Sequence, residues 1–410
     1  MARNVSIVVV ALGGYGLVYL EGLMDHRKDE NVTIVGGVDP EPERCTRLSE
    51  LRARGVPVYG SLEDFYSHHQ ADLAIISSPI HLHCEQTCLA LSKGSNVLCE
   101  KPLGAVVQEG AQMIRARNTA RKFVAIGYQW SFTETIQALK RDIAAGLFGA
   151  PLRFKTIALW PRDESYYRRN NWAGAQRDPE GRWVLDSPAN NALAHYLHNM
   201  FYLLGERVDT SARPRRAVAE LYRANDIENF DTFAARFFTE HGTEVLFYGS
   251  HAVEEEVGPR IEYEFERAKV TYVGWHTEFV ARWHDGREKS YGAPDSHYLE
   301  KMWQAISAVR TGAAPVCGIE AALAHTLAIN GMHESAPEIV DLPREMVTTK
   351  GEPGRRLTYA PAVGQCLAEA FERNVLPSEM QVPWAVPGKE INLEGYTFFP
   401  GGTSPKGGQL

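Results

Sequence analysis

The feature that most restricts the fold of this chain is an alternation of short apolar runs and helical patterns over residues 1–128. The runs are VSIVVV (5–10), VTIVGGVD (32–39), VPVYG (56–60), DLAIISS (72–78), NVLCE (96–100) and FVAIGY (123–128). Helical patterns lie between most of them, for example at 81–93 and 106–121. Apolar strands joined by helical crossovers predict an α/β domain built on a doubly wound parallel sheet, with helices on both faces.

A glycine-rich turn, ALGGYG (11–16), follows the first strand and has the Ala-x-Gly-x-x-Gly spacing of a dinucleotide-binding loop. A glycine at position 13 lets the backbone approach a pyrophosphate, and one at position 16 lets the helix pack closely on the strand. We therefore predict an N-terminal Rossmann domain, residues 1–128, whose cofactor-binding loop consists of Gly13, Gly14, Tyr15 and Gly16.

Asp39 closes the second strand, at the position that distinguishes one dinucleotide from the other. A carboxylate there accepts hydrogen bonds from both ribose hydroxyls and repels a 2′-phosphate. The nearest basic residue is Arg44, five positions further along the chain. The cofactor is therefore predicted to be NAD rather than NADP.

After Tyr128 the pattern changes to that of an α+β domain. A helix is predicted over 133–149, and two amphipathic helices over about 296–312 and 319–335. Between them lie the alternating runs PLRFKTIALW, RRAVAELYRA, FDTFAARFF and TEVLFYGS. These predict a C-terminal α+β domain, residues 129–374, with an open, mostly antiparallel sheet. The tail, 375–410, is rich in Pro and Gly and is expected to lie over another surface.

Bulk composition argues against several classes of protein. A net charge of −8 and a pI near 6.0 disfavour a nucleic-acid-binding surface. No apolar run has membrane-spanning length, and the N-terminus enters a strand without a signal-peptide pattern, so a cytoplasmic protein is expected. The six cysteines are scattered and predicted to be reduced. His81, His83 and Cys84 lack further ligands, so no metal site is predicted.

Three motifs together resemble the glucose–fructose oxidoreductase / inositol dehydrogenase (Gfo/Idh/MocA) family. They are the glycine loop, SPIHLH (78–83) and EKP (100–102), and GERVD (205–209) fits the same pattern. The resemblance runs from residue 5 to about 337. It implies an NAD-dependent oxidoreductase, and it assigns to the cofactor site the residues Ser78, Pro79, His83, Glu100, Lys101 and Gln129.

Two charged residues, Glu100 and Lys101, close the fifth apolar run, at a position where a buried strand rarely carries charge. By the resemblance, Lys101 contacts both the substrate hydroxyl and the nicotinamide ribose. An ammonium at the C-terminal edge of a parallel sheet can lower the pKa of a bound alcohol, which agrees with that role. Glu100 either fixes the lysine or lines the cofactor site. The resemblance also implies a cis peptide bond before Pro102.

The segment DSPANNALAHYLHNMFYLLG (186–205) carries a second set of catalytic candidates. Asn191 and His195 are four residues apart and are predicted to share one face of a helix over 190–204. The resemblance makes His195 the general base and places Asn191 where the family has Asp. An amide orients an imidazole but cannot stabilise imidazolium by charge, so Asp186 is the other candidate partner. His198 is either a substrate contact or a structural histidine.

The stretch WPRDESYYRRNNWAGAQRD (160–178) is dense in Arg, Tyr, Trp and Asn. Sugar sites use aromatic faces together with guanidinium and amide donors in this way. We therefore predict substrate contacts from Arg162, Tyr167, Arg169 and Trp172. The alternative is an exposed loop anchored by a tryptophan.

These features predict an NAD-dependent dehydrogenase acting on a secondary hydroxyl of a sugar, cyclitol or sugar derivative. A glycosidase that keeps NAD bound and works by transient oxidation and elimination is an alternative. A catalytically silent NAD-binding regulator is another. A homodimer or homotetramer is expected, because relatives bury the open face of the second sheet.

Overall fold

The structure is a computed structural model that describes residues 3–25 and 31–401, with the side chains of residues 296 and 297 left out. The chain folds into two compact units. The first unit is Met1–Thr133 with His297–Leu323, and the second is Glu134–Ser296 with Ala324–Leu410. The sequence analysis placed residues 297–323 in the second domain. They group with the first unit because a helix within them packs on its sheet.

The strands and helices follow one another along the whole chain. The strands are β1 Val5–Val10, β2 Val32–Val38, β3 Val58–Tyr59, β4 Leu73–Ile76, β5 Asn96–Cys99, β6 Val124–Ile126, β7 Pro151–Leu159, β8 Pro214–Arg223, β9 Thr232–Thr239, β10 Glu244–Ser250, β11 Val257–Phe265, β12 Ala268–Val273, β13 Val280–Trp283, β14 Glu288–Ser290, β15 Val340–Asp341, β16 Thr348–Lys350, β17 Leu357–Tyr359 and β18 Ile391–Asn392. The α-helices are α1 Gly16–Met24, α2 Leu48–Ala53, α3 Leu62–His68, α4 His83–Ser92, α5 Val107–Ala120, α6 Glu134–Ala144, α7 Glu164–Tyr167, α8 Ala194–Leu203, α9 Glu300–Thr311, α10 Ile319–Ser335 and α11 Pro361–Arg373. Within the described ranges, none of these helices combines the length and apolarity needed to cross a membrane.

The first unit contains a parallel sheet in the order β3-β2-β1-β4-β5-β6. All four residues of β4 are buried, as expected for a strand covered on both faces. The strand order reverses direction between β1 and β4, and ligands of such sheets bind at the C-terminal ends of the strands there. The predicted doubly wound α/β fold is confirmed.

The second unit contains a mixed sheet in the order β14-β13-β12-β11-β7-β10-β9-β8-β15. Most neighbours are antiparallel, but β7 pairs with β10, and β8 with β15, in parallel. The four predicted runs form β7, β8, β9 and β10. Residues 257–290 add the four strands β11, β12, β13 and β14, which the sequence analysis did not identify. The predicted α+β domain with an open, mostly antiparallel sheet is confirmed.

The tail lies against the second unit. β18 pairs with β8, and the Leu393 N–H donates to the carbonyl of Arg215 at 2.7 Å. Leu393 is 0% exposed, and Phe399 is also buried. The tail therefore covers another surface, as expected, although positions 402–410 lie outside the described residues.

Replacing Leu393 by Ala is expected to lower the free energy of unfolding of the protein by about 2–5 kcal/mol, because it leaves a cavity under the tail. Phe398 is 62% exposed in the same segment, so Phe398→Ala serves as the control and should have little effect. Urea unfolding of both variants checks this. Equal stability of Leu393→Ala and wild type would contradict the packing of the tail.

Candidate functional site

The glycine loop between β1 and α1 has the shape expected of a cofactor cradle. A Cβ at Gly16 would lie 1.7 Å from the Ala11 carbonyl oxygen, so close packing of helix on strand requires glycine there. A Cβ at Gly13 would approach only the Arg44 Cβ, at 3.9 Å, and one at Gly14 would meet nothing within 4 Å. No packing contact among the described residues requires a glycine at 13, which fits close approach of an external pyrophosphate.

Asp39 faces this loop from the end of β2. Its carboxylate accepts a hydrogen bond from the Leu12 N–H at 2.8 Å and a longer one from the Gly13 N–H at 3.4 Å. Arg44 is exposed and pairs with Glu41 at 2.6 Å. An acid at the strand end and a base already paired with another carboxylate both favour NAD over a cofactor with a 2′-phosphate.

His83 ties the SPIHLH and EKP motifs together. Its two ring nitrogens lie 2.7 Å from the Pro102 carbonyl and 2.9 Å from the Ser78 carbonyl. The ring is 1% exposed, and burial lowers the pKa of His83 although both carbonyls favour the protonated form. The structure thus places this predicted cofactor ligand beneath the two turns, where it shapes them. The Ser78 hydroxyl donates to Gln86 at 2.7 Å, and Pro79 precedes a 3₁₀ turn, Ile80–Leu82.

Glu100 and Lys301 form a buried ion pair at the end of β5. The Lys301 ammonium contacts the Glu100 carboxylate and donates to the Gly127 carbonyl, at 3.2 Å. The Tyr19 hydroxyl donates to the same carboxylate, and the Lys101 N–H donates to its other oxygen at 3.2 Å. A Cβ at Gly127 would lie 2.8 Å from the carboxylate, so glycine at this position makes room for the pair.

Both members of the pair are held in their charged forms. Burial alone would raise the pKa of Glu100, but the Lys301 charge and hydrogen bonds outweigh it, and the pKa is lowered. Burial alone would lower the pKa of Lys301, but Glu100 and Tyr15 raise it. The end of β5 therefore carries a fixed, compensated charge pair.

Lys101, Tyr15 and Gln129 surround this pair. Lys101 is half-buried, and its peptide bond to Pro102 is cis, which confirms the implied geometry. The Tyr15 hydroxyl accepts a hydrogen bond from Lys301 at 3.3 Å and donates to the Gln129 amide oxygen at 3.3 Å. The predicted cofactor residues Tyr15, Glu100 and Gln129 thus belong to one hydrogen-bonded network.

Sequence reasoning missed Lys301, the cation of that network. A signal was present, because Lys301 lies on the buried face of α9 together with Met302, Ala305 and Ile306. A lysine on an apolar helix face requires a buried partner. The sequence placed two acids, Asp39 and Glu100, at the ends of strands in the first sheet, and Glu100 is the one that Lys301 contacts.

In the second unit, the predicted catalytic segment differs from expectation in its first turn. α8 begins at Ala194, because residues 187–193 form turns in which the Leu193 N–H donates to the Pro188 carbonyl. Asn191 therefore precedes the helix, and the prediction that it shares a helical face with His195 is wrong. His195 lies in the first turn of α8 and is half-buried.

Asn191 contacts a carboxylate instead. Its amide nitrogen donates to Asp186 at 2.8 Å, and the other oxygen of Asp186 accepts from the Gly174 N–H at 2.7 Å. Asp186 is 2% exposed. The acid that the sequence offered as an alternative partner is thus held next to Asn191.

The four residues predicted to contact substrate form one cluster around Tyr166. The Arg169 guanidinium lies 3.8 Å from the centre of the Tyr166 ring and 5.5 Å from that of Trp172. Arg162 lies 5.3 Å from the Tyr166 ring, and Tyr167 follows in the same short helix, α7. Arg169 also lies 3.7 Å from Asp186, which joins this cluster to Asn191.

His198 lies apart from the cluster, in the core of the second unit. It is 1% exposed and stacks on Tyr202 at 5.4 Å. Burial, with the charges of His325 and Lys140, lowers the pKa of His198 well below its usual value. This is the placement of the structural histidine that the sequence analysis gave as the alternative, and a substrate contact is not supported.

Residues 5–128 match the model of the Gfo/Idh/MocA oxidoreductase family, described as an NAD-binding Rossmann fold. The chain carries the NAD-binding domain of this family. The family predicted from three short motifs is confirmed for residues 5–128, and so is NAD as the cofactor of that domain. The open space before Gly13 and the position of Asp39 fit that cofactor.

Two curated proteins are similar to parts of this chain. It is 25% identical over 252 residues to 2,7-anhydro-N-acetylneuraminate hydratase of Mediterraneibacter gnavus, covering 60% of this chain and 62% of that protein. It is 26% identical over 155 residues to inositol 2-dehydrogenase of Rubrobacter xylanophilus, covering 38% of this chain and 44% of that protein. The chain therefore aligns with less than two thirds of either curated relative.

A solved structure shares the fold over most of the chain. WlbA dehydrogenase of Bordetella pertussis, in complex with NADH and UDP-GlcNAcA, superposes with a TM-score of 0.67 at 21% identity. The match covers 82% of this chain and 97% of that one. The similarity in fold between the two proteins therefore extends beyond the NAD-binding domain.

Replacing Lys301 by Met is expected to lower the free energy of unfolding by about 3–5 kcal/mol, because it leaves the Glu100 carboxylate buried without its cation. Urea unfolding measures the loss, and hydrogen exchange at β5 localises it to the first unit. Combining Lys301→Met with Glu100→Gln removes the stranded charge and should recover about half of the loss. A double variant no more stable than the single one would contradict the pairing.

Proposed function

We propose that the protein is an NAD-dependent oxidoreductase that transfers a hydride between nicotinamide and a secondary hydroxyl of a sugar, a cyclitol or a sugar derivative. NAD, when bound, supplies the hydride acceptor or donor. The chain supplies the groups that bind the substrate oxygen, move its proton and hold both in place.

The observation that carries this proposal is the shared edge of the first sheet. The glycine loop follows β1, Asp39 follows β2, Ser78 comes shortly after β4, and Lys101 comes shortly after β5. The C-terminal ends of parallel strands lie at one edge of a sheet, so these residues share the edge at which such folds bind dinucleotides. This position supports a role for the Lys101 amine beside the cofactor.

Lys101 is proposed to bind and polarise the substrate oxygen. An ammonium stabilises the negative charge that develops on a hydroxyl as its proton leaves. Glu100 accepts the Lys101 N–H and is itself compensated by Lys301, so it fixes the backbone of the lysine while its charge is already paired. This supports the first of the two roles considered for Glu100.

His195 is proposed to take the hydroxyl proton as general base. Asn191 is proposed to orient the imidazole of His195 through its amide oxygen, because its amide nitrogen is already bound to Asp186. The names of the relatives support a hydroxyl of a cyclitol or sugar derivative as the reacting group, since one is an inositol 2-dehydrogenase and another a WlbA dehydrogenase in complex with UDP-GlcNAcA.

A redox-neutral reaction is the second candidate. The observation that favours it is that a relative aligned over 252 residues is named a hydratase, not a dehydrogenase. In such a reaction the substrate would be oxidised transiently, lose a leaving group by elimination, add water across the double bond so formed, and be reduced again, so that NAD is regenerated within each turnover. The same Lys101 and His195 would serve both reactions.

Replacing Lys101 by Met is expected to leave the affinity for NAD within about threefold and to lower turnover at least about 100-fold, because the oxygen loses its cation. NAD binding by calorimetry and NADH formation by absorbance measure the two effects. Lys93 is exposed in the same unit, and Lys93→Met is the control. Full turnover in Lys101→Met would contradict the assigned role.

A screen of polyols, neutral sugars, sugar acids and nitrophenyl glycosides with NAD is expected to give NADH without release of nitrophenol, because net hydride transfer is proposed. Nitrophenol released with no accumulation of NADH would favour the redox-neutral reaction instead. NAD binding without either product across the screen would favour the catalytically silent regulator.

A further inference from the structure

A second set of polar side chains lies at one edge of the sheet in the second unit. β7 and β10 are parallel neighbours, so their C-terminal ends meet at the same edge. Arg162 comes shortly after β7, and His251 directly after β10. The backbone N–H of Arg162 donates to the backbone carbonyl of His251 at 3.1 Å, so the sheet brings these two distant positions together.

His251 is a buried group that the proposed reaction does not use. It is 1% exposed, and its ring packs edge-on against Tyr166 at 5.2 Å. Its Nδ1 lies 3.5 Å from the Tyr167 hydroxyl, whereas its Nε2 is buried and has no hydrogen-bond partner within the described part of the chain. A buried nitrogen without a partner costs free energy, which a ligand oxygen would recover.

Arg162 is the charged group at this edge. It is half-buried, and its guanidinium donates to the Pro161 carbonyl at 3.0 Å. Across residues 3–25 and 31–401, no ion pair with a carboxylate is formed by Arg162. A half-buried guanidinium without a counter-ion attracts an anion of matching geometry.

Two carboxyl groups in the same region do not supply that counter-ion. Asp186 lies 3.7 Å from Arg169 and accepts the Gly174 N–H, so its charge is already engaged. Asp231 accepts from the Asn225 N–H and amide, and burial raises the pKa of Asp231 despite those bonds. The positive charge of Arg162 therefore remains uncompensated within the cluster.

We propose that Arg162 and His251 form a subsite for the carboxylate of an acidic sugar, with Arg169 as a positioning residue that neutralises Asp186. A guanidinium presents two parallel N–H groups to a carboxylate, and the imidazole adds one more donor. The single charge of a carboxylate matches one arginine, whereas a phosphate carries nearly two charges. This inference rests on the proposed function, because it specifies the class of sugar that the oxidoreductase accepts.

Histidine ring resonances allow a direct test on the full-length, NAD-loaded protein. The protein is labelled with ¹³C-histidine, and His251→Gln identifies the resonance of His251. The probes are D-glycerate, glycerol and glycerol 3-phosphate, which offer a carboxylate, a neutral group and a phosphate on the same three-carbon frame. D-Glycerate should shift the His251 resonance saturably, and glycerol should not.

Arg162→Gln should weaken D-glycerate binding at least about tenfold, the usual effect of losing a charge-assisted hydrogen bond. Arg162→Lys keeps the charge without the planar fork and should weaken it less. Arg168 is exposed in the same segment, and Arg168→Gln should bind D-glycerate like wild type. No shift with D-glycerate, an equal response to glycerol, or unchanged binding in Arg162→Gln would overturn the subsite. Tighter binding of glycerol 3-phosphate would replace the carboxylate by a phosphate.

The test also separates this inference from the proposed function. Lys101→Met should still bind D-glycerate, because the subsite does not depend on Lys101. Oxidation of neutral sugars without any anion binding would overturn the subsite alone. Anion binding at His251 without hydride transfer to any sugar would overturn the proposed function alone.

Discussion

The ion pair between Glu100 and Lys301 is the interaction on which the cofactor edge of the first unit depends. An unpaired charge in a protein interior costs several kcal/mol, so neither residue is tolerated there without the other. The pair contacts the end of β5 directly, the end of β6 through the Gly127 carbonyl, and the glycine loop through Tyr15. This explains why a core strand ends in an acid. Glu100 forms an ion pair with a lysine from a distant helix, and the pair fixes three turns.

The second constraint on this edge is His83. Its two ring nitrogens face carbonyls on either side, one in the Ser78 turn and one at Pro102. The motifs SPIHLH and EKP are therefore two parts of one hydrogen-bonded structure. Lys101 lies between Glu100 and Pro102, so its backbone is held from both sides, by a carboxylate on one side and a buried imidazole on the other.

Local features of this chain were predictable and distant ones were not. The six parallel strands and the glycine loop are recorded in short stretches of sequence, and both were predicted from them. The cis Lys101–Pro102 bond was implied by the family resemblance. The partner of Glu100 is 201 residues away, and only the odd placement of a lysine on an apolar helix face indicated it. No local sequence pattern indicated a role for His251, because its surroundings arise from the parallel pairing of β7 with β10.

The start of α8 shows how a local departure changes the chemistry of the second unit. The turns over 187–193 place Asn191 before the helix, where its amide nitrogen binds Asp186. An amide that donates through nitrogen presents its carbonyl oxygen as an acceptor in a fixed direction. An asparagine at position 191 therefore does not leave this region without a carboxylate, because Asp186 lies next to it. The amide of Asn191 lies between that buried carboxylate and the group that the amide oxygen faces.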